Sequence, residues 1–261
     1  MKIIISQTAE ELGRLAASKA AGYINAAVAE KGAAHLLVST GASQFTTFTA
    51  LLKEDVDWRK VEMFHLDEYI GLPQGHRASF IKYLMERFTD HIPLKAAHFI
   101  DVWSGVESII ESVSAELSAK PIDVGIIGVG ENGHIAFNDP PADFNTDAAF
   151  KVVRLDDACR RQQLGEGWFP TLDDVPGSAV TMSVKQILKC KRIISAVPYK
   201  VKAEAVYKTL TADKPTPLIP ATALRTHPDA VLLLDVESAS MLDLSVSTGQ
   251  ELDIGILPGL S

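Results

Sequence analysis

Short apolar runs alternate along this chain with longer stretches in which apolar residues return every three or four positions. KIIIS at residues 2–6 reads as a strand, and TAEELGRLAASKAAGYINAAVAEKG as the helix after it. Thr8, with Glu11 three residues on, has the spacing of a capping box. Leu12, Leu15, Ala16, Tyr23, Ile24, Ala27 and Val28 make one apolar face, and Gly32 ends the helix. The same alternation continues: HLLVSTGAS into QFTTFTALLKE, VEMFHLDEY into RASFIKYLMERFTDHI, AAHFIDV into GVESIIESVSAELSAK, and then the strand IDVGIIGVG.

Strands alternating with helices at this spacing predict an α/β fold, a doubly wound, mostly parallel sheet with helices on both faces. Such sheets bind ligands beyond the carboxyl ends of their strands, so the loops after HLLV, MFHL and GIIG should converge on one pocket. After Pro141 the pattern loosens, and residues 142–176 read as an active-site lid. Alternation resumes with SAVTMSVKQILKCKRIISAVP, the helix KVKAEAVYKTLTA, a further helix ATALRTH and the strand AVLLLDVES. No composition break resembles a linker, so residues 1–261 are expected to form a single domain.

Composition narrows the partners. A net charge of −8 on 261 residues argues against nucleic acid and anionic membrane surfaces, while a local basic pocket for one phosphate stays open. No run reaches the roughly 18 apolar residues of a membrane helix, and the N-terminus lacks a secretory signal; the expectation is a cytoplasmic protein with a small-molecule partner. Cys159 and Cys190 lack zinc-site or disulfide spacing and read as buried thiols.

Three loops carry candidate chemistry. Ser39, Thr40, Gly41, Ala42 and Ser43 lie between a strand and a helix, where backbone N–H groups can hold a phosphate, although ordinary strand-to-helix turns use the same residues. Asp67 and Glu68 are adjacent at a strand end. Alternation points them in opposite directions, so one can face the pocket as a base while its neighbour bonds structurally or caps a helix. GVGENGHIAFNDPP, residues 128–141, contains a literal G-x-G-x-x-G. A dinucleotide loop needs a long helix after its last glycine and an acidic strand end about 20 residues on. Pro140 and Pro141 leave no room for that helix, and FKVVRLDD is a poor second strand. What remains is a turn that lets backbone approach a ligand, with His134 and Asp139 close behind. His134 reads as a proton-transfer group or as a structural histidine. Metal ligation by His134, Asp139 and Asp143 is the weaker alternative, because no second histidine completes a site.

Together these segments resemble the glucosamine-6-phosphate deaminase/isomerase family over most of the chain. STGAS resembles its phosphate loop, FHLDEYIGLPQGHRASF its Asp-Glu-Tyr motif, and GVGENGHIAFNDP its most diagnostic segment; VPGSAVTMSVKQIL, KAEAVY and ATALRTHPDAVLLLD continue the likeness. The 6-phosphogluconolactonases share the fold but usually have Asp-Glu-Arg and Gly-His-Thr, so Tyr69 and residues 135–138 favour the deaminase branch. The resemblance implies that Asp67 moves a proton between C2 and C1, that His134 opens the sugar ring, and that Asn132 and Asp139 orient His134. Residues 39–43 and Lys202 then hold the substrate phosphate, with no cofactor and no metal.

Two departures from the family matter. Asp139 stands where glutamate is usual, and Gly167 stands where a lid arginine contacts the phosphate, which leaves Arg160 or Arg161 as stand-ins. The segment after Pro141 is unlike the family's N-acetylglucosamine-6-phosphate effector site, implying no such activation. The implied reaction is isomerising deamination of glucosamine 6-phosphate, with galactosamine 6-phosphate, a non-catalytic phosphosugar sensor and a lactone hydrolase as alternatives. A homo-oligomer remains open.

Overall fold

Thr8 caps the first helix as its spacing predicts: its side chain accepts the Glu11 N–H, and the Gly32 N–H closes the other end on the Val28 carbonyl. This helix, α1 (Ala9–Lys31), follows β1 (Lys2–Ser6) in a computed structural model that describes residues 1–165 and 167–242. Glu166 and residues 243–261, which the single-domain expectation includes, lie outside the described residues.

Six further strands join β1 in one parallel sheet: β2 (Ala34–Val38), β3 (Val61–His65), β5 (Ala96–His98), β6 (Val124–Ile126), β9 (Arg192–Val197) and β10 (Ala230–Asp235). Their order is β1-β10-β9-β6-β2-β3-β5. Period-two alternation divides their side chains between two cores. Leu36, Val38, Met63 and Leu233 face α1, α2 (Phe45–Leu51) and α3 (Phe80–Arg87). Leu37, Phe64, Leu232 and Leu234 face α4 (Val106–Ala119), α6 (Val184–Ile187) and α7 (Ala203–Thr211). Each fully buried leucine in these layers contributes about 1.5–3 kcal/mol relative to exposure. No described helix is long and apolar enough to cross a membrane.

The structure departs from the sequence expectation at three places. VEMFHLDEY is two strands, not one: β3 ends at His65, and β4 (Asp67–Ile70) belongs to a separate antiparallel sheet ordered β4-β8-β7. Leu66 is the joint, its carbonyl accepting the Met182 N–H of β8 (Ser178–Met182) at 2.8 Å. The stretch read as loose after Pro141 contains β7 (Phe150–Arg154) and α5 (Asp157–Gly165). Neither shows clear apolar periodicity, since β7 buries only Phe150 and leaves Val152 half exposed, while α5 is mostly polar. ATALRTH lies in a 3-10 helix, Pro220–Thr226, rather than an α-helix. A third core of Tyr69, Phe137, Cys159, Phe169 and Val175 ties the segment after Pro141 to the small sheet.

Candidate active site

The parallel sheet reverses its winding between β2 and β6, which are neighbours although β3 and β5 intervene in sequence. A crevice beyond the carboxyl ends of such strands is the expected ligand site. Residues 39–43 after β2, Asp67 after β3 and residues 128–131 after β6 line one pocket there, so the three predicted loops do converge.

Residues 39–43 form its floor. Gly41 has φ 101°, its carbonyl accepts the Gln44 N–H at 3.0 Å, and the Tyr83 hydroxyl of α3 donates to the same carbonyl at 2.8 Å. Ser39 Oγ is buried without a hydrogen-bond partner among the described residues, a polar group available to a ligand. Lys202 reaches the pocket from the 3-10 turn Lys200–Lys202 after β9 and is itself buried. Tyr199 opens that turn at φ 81°, a conformation costly for a non-glycine residue, with its N–H held by Asp235 Oδ2 at 3.0 Å.

Asp67 and Glu68 divide as strand alternation requires. The Glu68 carboxylate turns inward and accepts from the Ser79 hydroxyl and from the N–H groups of Tyr69, Phe80 and Ile81, capping α3. Asp67 faces the pocket. Burial, reinforced by the negative charge of Glu68, pushes its carboxyl up to about 8. The Phe137 N–H, which also points to Thr181 Oγ1 at 3.0 Å, offsets part of this rise. Asp67 thus has the properties of a base poised near neutral pH.

No α-helix follows the glycine-rich stretch until Asp157, so the dinucleotide reading fails on structure as it does on sequence. Its glycines serve a histidine. A tight turn forms, with Gly130 N–H bonding the His134 carbonyl and Gly133 N–H the Gly130 carbonyl. A Cβ on Gly130 would collide with Nδ1, Cε1 and Nε2 of His134, so the imidazole lies directly on that glycine. His134 Nδ1 sits 2.7 Å from Asn132 Oδ1 and 3.1 Å from Asp139 Oδ1, and Asn132 Nδ2 donates to Asp139 Oδ1 at 3.0 Å. Burial works to raise the Asp139 pKa, but contacts from His134, Asn132 and the Cys159 thiol outweigh it and hold the carboxyl down at about 2. His134 lines the pocket, while Asn132 and Asp139 stand behind it; a carboxylate there fixes the tautomer and orients the ring. Asp143 is elsewhere, accepting from the Asn145 and Thr146 N–H groups of its own turn.

Arg160 and Arg161, the two alternatives for a lid arginine at the phosphate, are both engaged locally. Arg160 donates to the Leu172 and Val175 carbonyls and pairs with Asp157; the exposed Arg161 also pairs with Asp157, and neither lines the pocket. The arginine that does line it is Arg77, from the loop between β4 and α3, together with Gln162, Gln163 and Trp168. Sequence inspection passed over all four, although Arg77 lies inside the Asp-Glu-Tyr segment and Gln162 beside the two arginines considered.

Residues 7–233 match the family described as glucosamine-6-phosphate isomerases/6-phosphogluconolactonase. The chain belongs to this family. It is 32% identical over 250 residues to a glucosamine-6-phosphate deaminase of Bacillus thuringiensis (strain Al Hakam), an alignment covering 95% of this chain and 91% of that protein. The same figures hold for a glucosamine-6-phosphate deaminase of Bacillus cereus (strain B4264). Among solved structures, one described as a monomeric glucosamine-6-phosphate deaminase superimposes with a TM-score of 0.82 at 32% identity, over 93% of this chain and 100% of that one. A 6-phosphogluconolactonase from Thermotoga maritima matches with a TM-score of 0.73 at 18% identity, over 90% and 100% of the two chains, a likeness of fold.

Within the family, the aspartate at 139 does not leave His134 unsupported, since the carboxylate contacts the ring directly. Asp139→Asn is therefore expected to lower kcat about 10- to 100-fold, the usual cost of removing an orienting carboxylate. Steady-state kinetics beside a melting curve checks this: a fall in kcat with little change in Tm supports an orienting role, and unchanged kcat refutes it.

Proposed function

We propose that this chain catalyses the isomerising deamination of a hexosamine 6-phosphate, converting glucosamine 6-phosphate to fructose 6-phosphate and ammonia. One observation carries the reading: a buried carboxylate poised near pH 8, Asp67, and a carboxylate-backed histidine, His134, line the same pocket as residues 39–43 and Lys202. The deaminase relatives at 32% identity support the substrate class.

In this reading Lys202 and residues 39–43 hold the phosphate. His134 moves the proton between the ring oxygen and the anomeric hydroxyl, and the ring opens. Asp67 then takes the proton from C2 while a proton from the C2 ammonium passes to the aldehyde oxygen, giving an enolamine; Asp67 returns its proton to C1, so C1 becomes a hydroxymethyl group and the amine at C2 an iminium. Water adds to that carbon, ammonia leaves, and the 2-ketose remains. An aldose–ketose shift needs one base over two adjacent carbons, and ring opening needs a second that does not compete with it; the pair Asp67 and His134 meets both needs. Residues 142–176, which bring Gln162, Gln163 and Trp168 to the pocket, serve as the lid. A phosphorylated substrate does not cross membranes unaided, which fits action in the cytoplasm on amino sugars.

A panel of glucosamine 6-phosphate, galactosamine 6-phosphate and 6-phosphogluconolactone tests the proposal, with ammonia release, ketose formation and lactone consumption as readouts. Stoichiometric ammonia and ketose from an amino sugar phosphate is the expected result. Turnover of the lactone alone overturns it, and tight binding without turnover favours a sensor.

A further inference from the structure

An anion site needs positive charge that the protein has not already neutralised. Of the arginines near the pocket, Arg160 and Arg161 share Asp157. Arg77 pairs with no carboxylate among the described residues. Its guanidinium donates to a neutral acceptor, the Gly167 carbonyl, at 2.6 Å and lies 5.9 Å from the centre of the Trp168 ring. Those contacts hold the group against the segment that carries Gly167 and use one of its five N–H donors.

Position points the same way. Arg77 precedes α3, and the hydroxyl of Tyr83, within the first turns of that helix, donates to the Gly41 carbonyl in the middle of the 39–43 turn. The helix that follows Arg77 is thereby held to the turn, and Arg77, Gly41 and Lys202 line one cavity. We propose that Arg77 is the second cation of the phosphate subsite, fixed for that task by the Gly167 carbonyl and the Trp168 ring. An arginine from the β4–α3 loop, positioned by backbone at 167, does there what a side chain at 167 cannot, since glycine has none. This inference rests on the phosphosugar reading above and adds a further residue, beside Lys202 and residues 39–43, that favours phosphorylated over unphosphorylated ligand.

Calorimetric binding of two unreactive probes, glucitol 6-phosphate and inorganic phosphate, to the full chain tests it without requiring turnover. Arg77→Ala should weaken both probes by roughly 10- to 100-fold, the range of a lost charge-assisted hydrogen bond. Arg77→Lys, which keeps charge but not the planar fork, should fall between it and the wild type. Arg161→Ala, exposed and outside the pocket, should bind as the wild type does. Wild-type affinity in Arg77→Ala overturns the proposal; so does loss of glucitol 6-phosphate with inorganic phosphate unaffected, or failure of the wild type to bind either probe. Arg77-dependent binding without ammonia release would uphold this inference and sink the deamination reading, whereas ammonia release with Arg77-independent binding would do the reverse.

Discussion

Asp67→Asn is expected to lower kcat by roughly 10²–10⁴-fold, while making the fold more resistant to heat at pH 8 and above. Both effects follow from one property. Burial and the neighbouring Glu68 raise the Asp67 carboxyl from 3.8 to about 8, so the native state prefers it protonated. A carboxyl whose pKa is raised on folding contributes stability that is fully present below its unfolded pKa, near pH 4, and is lost as pH rises through its folded value, near pH 8. The wild type therefore carries the cost of an ionised, buried aspartate under the conditions where a base is useful. Asparagine has the same shape and no charge to desolvate.

The Tm difference between variant and wild type should widen in favour of the variant from about pH 4 to pH 8, by about 2–4 °C for each kcal/mol relieved. In the wild type, kcat/KM should rise with pH along a limb centred near 8, since the base must be ionised in the free enzyme. Paired melting curves at pH 5 and pH 9, with a pH–rate profile, check both. A variant that melts below the wild type at pH 9 contradicts the raised Asp67 carboxyl, and one that retains its turnover removes Asp67 from the role of base.

How much of this was legible from sequence depends on where each side chain gets its orientation. Helix α1 was readable because Thr8, Glu11, Gly32 and one apolar face carry the information within a single segment. The split of Asp67 from Glu68 was readable because it needs only the alternation of a strand. The break at Leu66 was not: the run VEMFHLDEY is apolar enough for one strand, and its division depends on β8, more than a hundred residues away, pairing with β4. Arg77 was missed for the same reason, since its partner Gly167 is ninety residues on. Arg160 and Arg161 misled because charge near a ligand loop attracts attention, whereas Asp157, three and four residues before them, takes their charge within α5. Local chemistry reads well from sequence; reach across the fold does not.

The glycine-rich stretch gives the second large effect: Gly130→Ala should reproduce the loss of His134 without replacing a titratable residue. The ideal position of the new methyl overlaps three atoms of the imidazole, well inside contact distance. Gly130 does not occupy the left-handed backbone region, so alanine suits the chain there, and the clash falls on the ring alone. The ring can yield only by swinging away from Asn132 and Asp139, which gives up the contacts at 2.7 and 3.1 Å that orient it. Overpacking of this kind costs about 1–3 kcal/mol, less than the roughly 5–15 kcal/mol by which folded proteins are stable. Activity should fall further, by roughly 10²–10⁴-fold, matching His134→Gln. The double variant Gly130→Ala with His134→Gln decides the cause. If the methyl acts by displacing the imidazole, the double variant is no slower than His134→Gln, because the same function has already been removed. Losses that multiply instead would mean that Gly130 serves the substrate directly, and near-wild-type activity in Gly130→Ala would show that His134 works from another position or not at all.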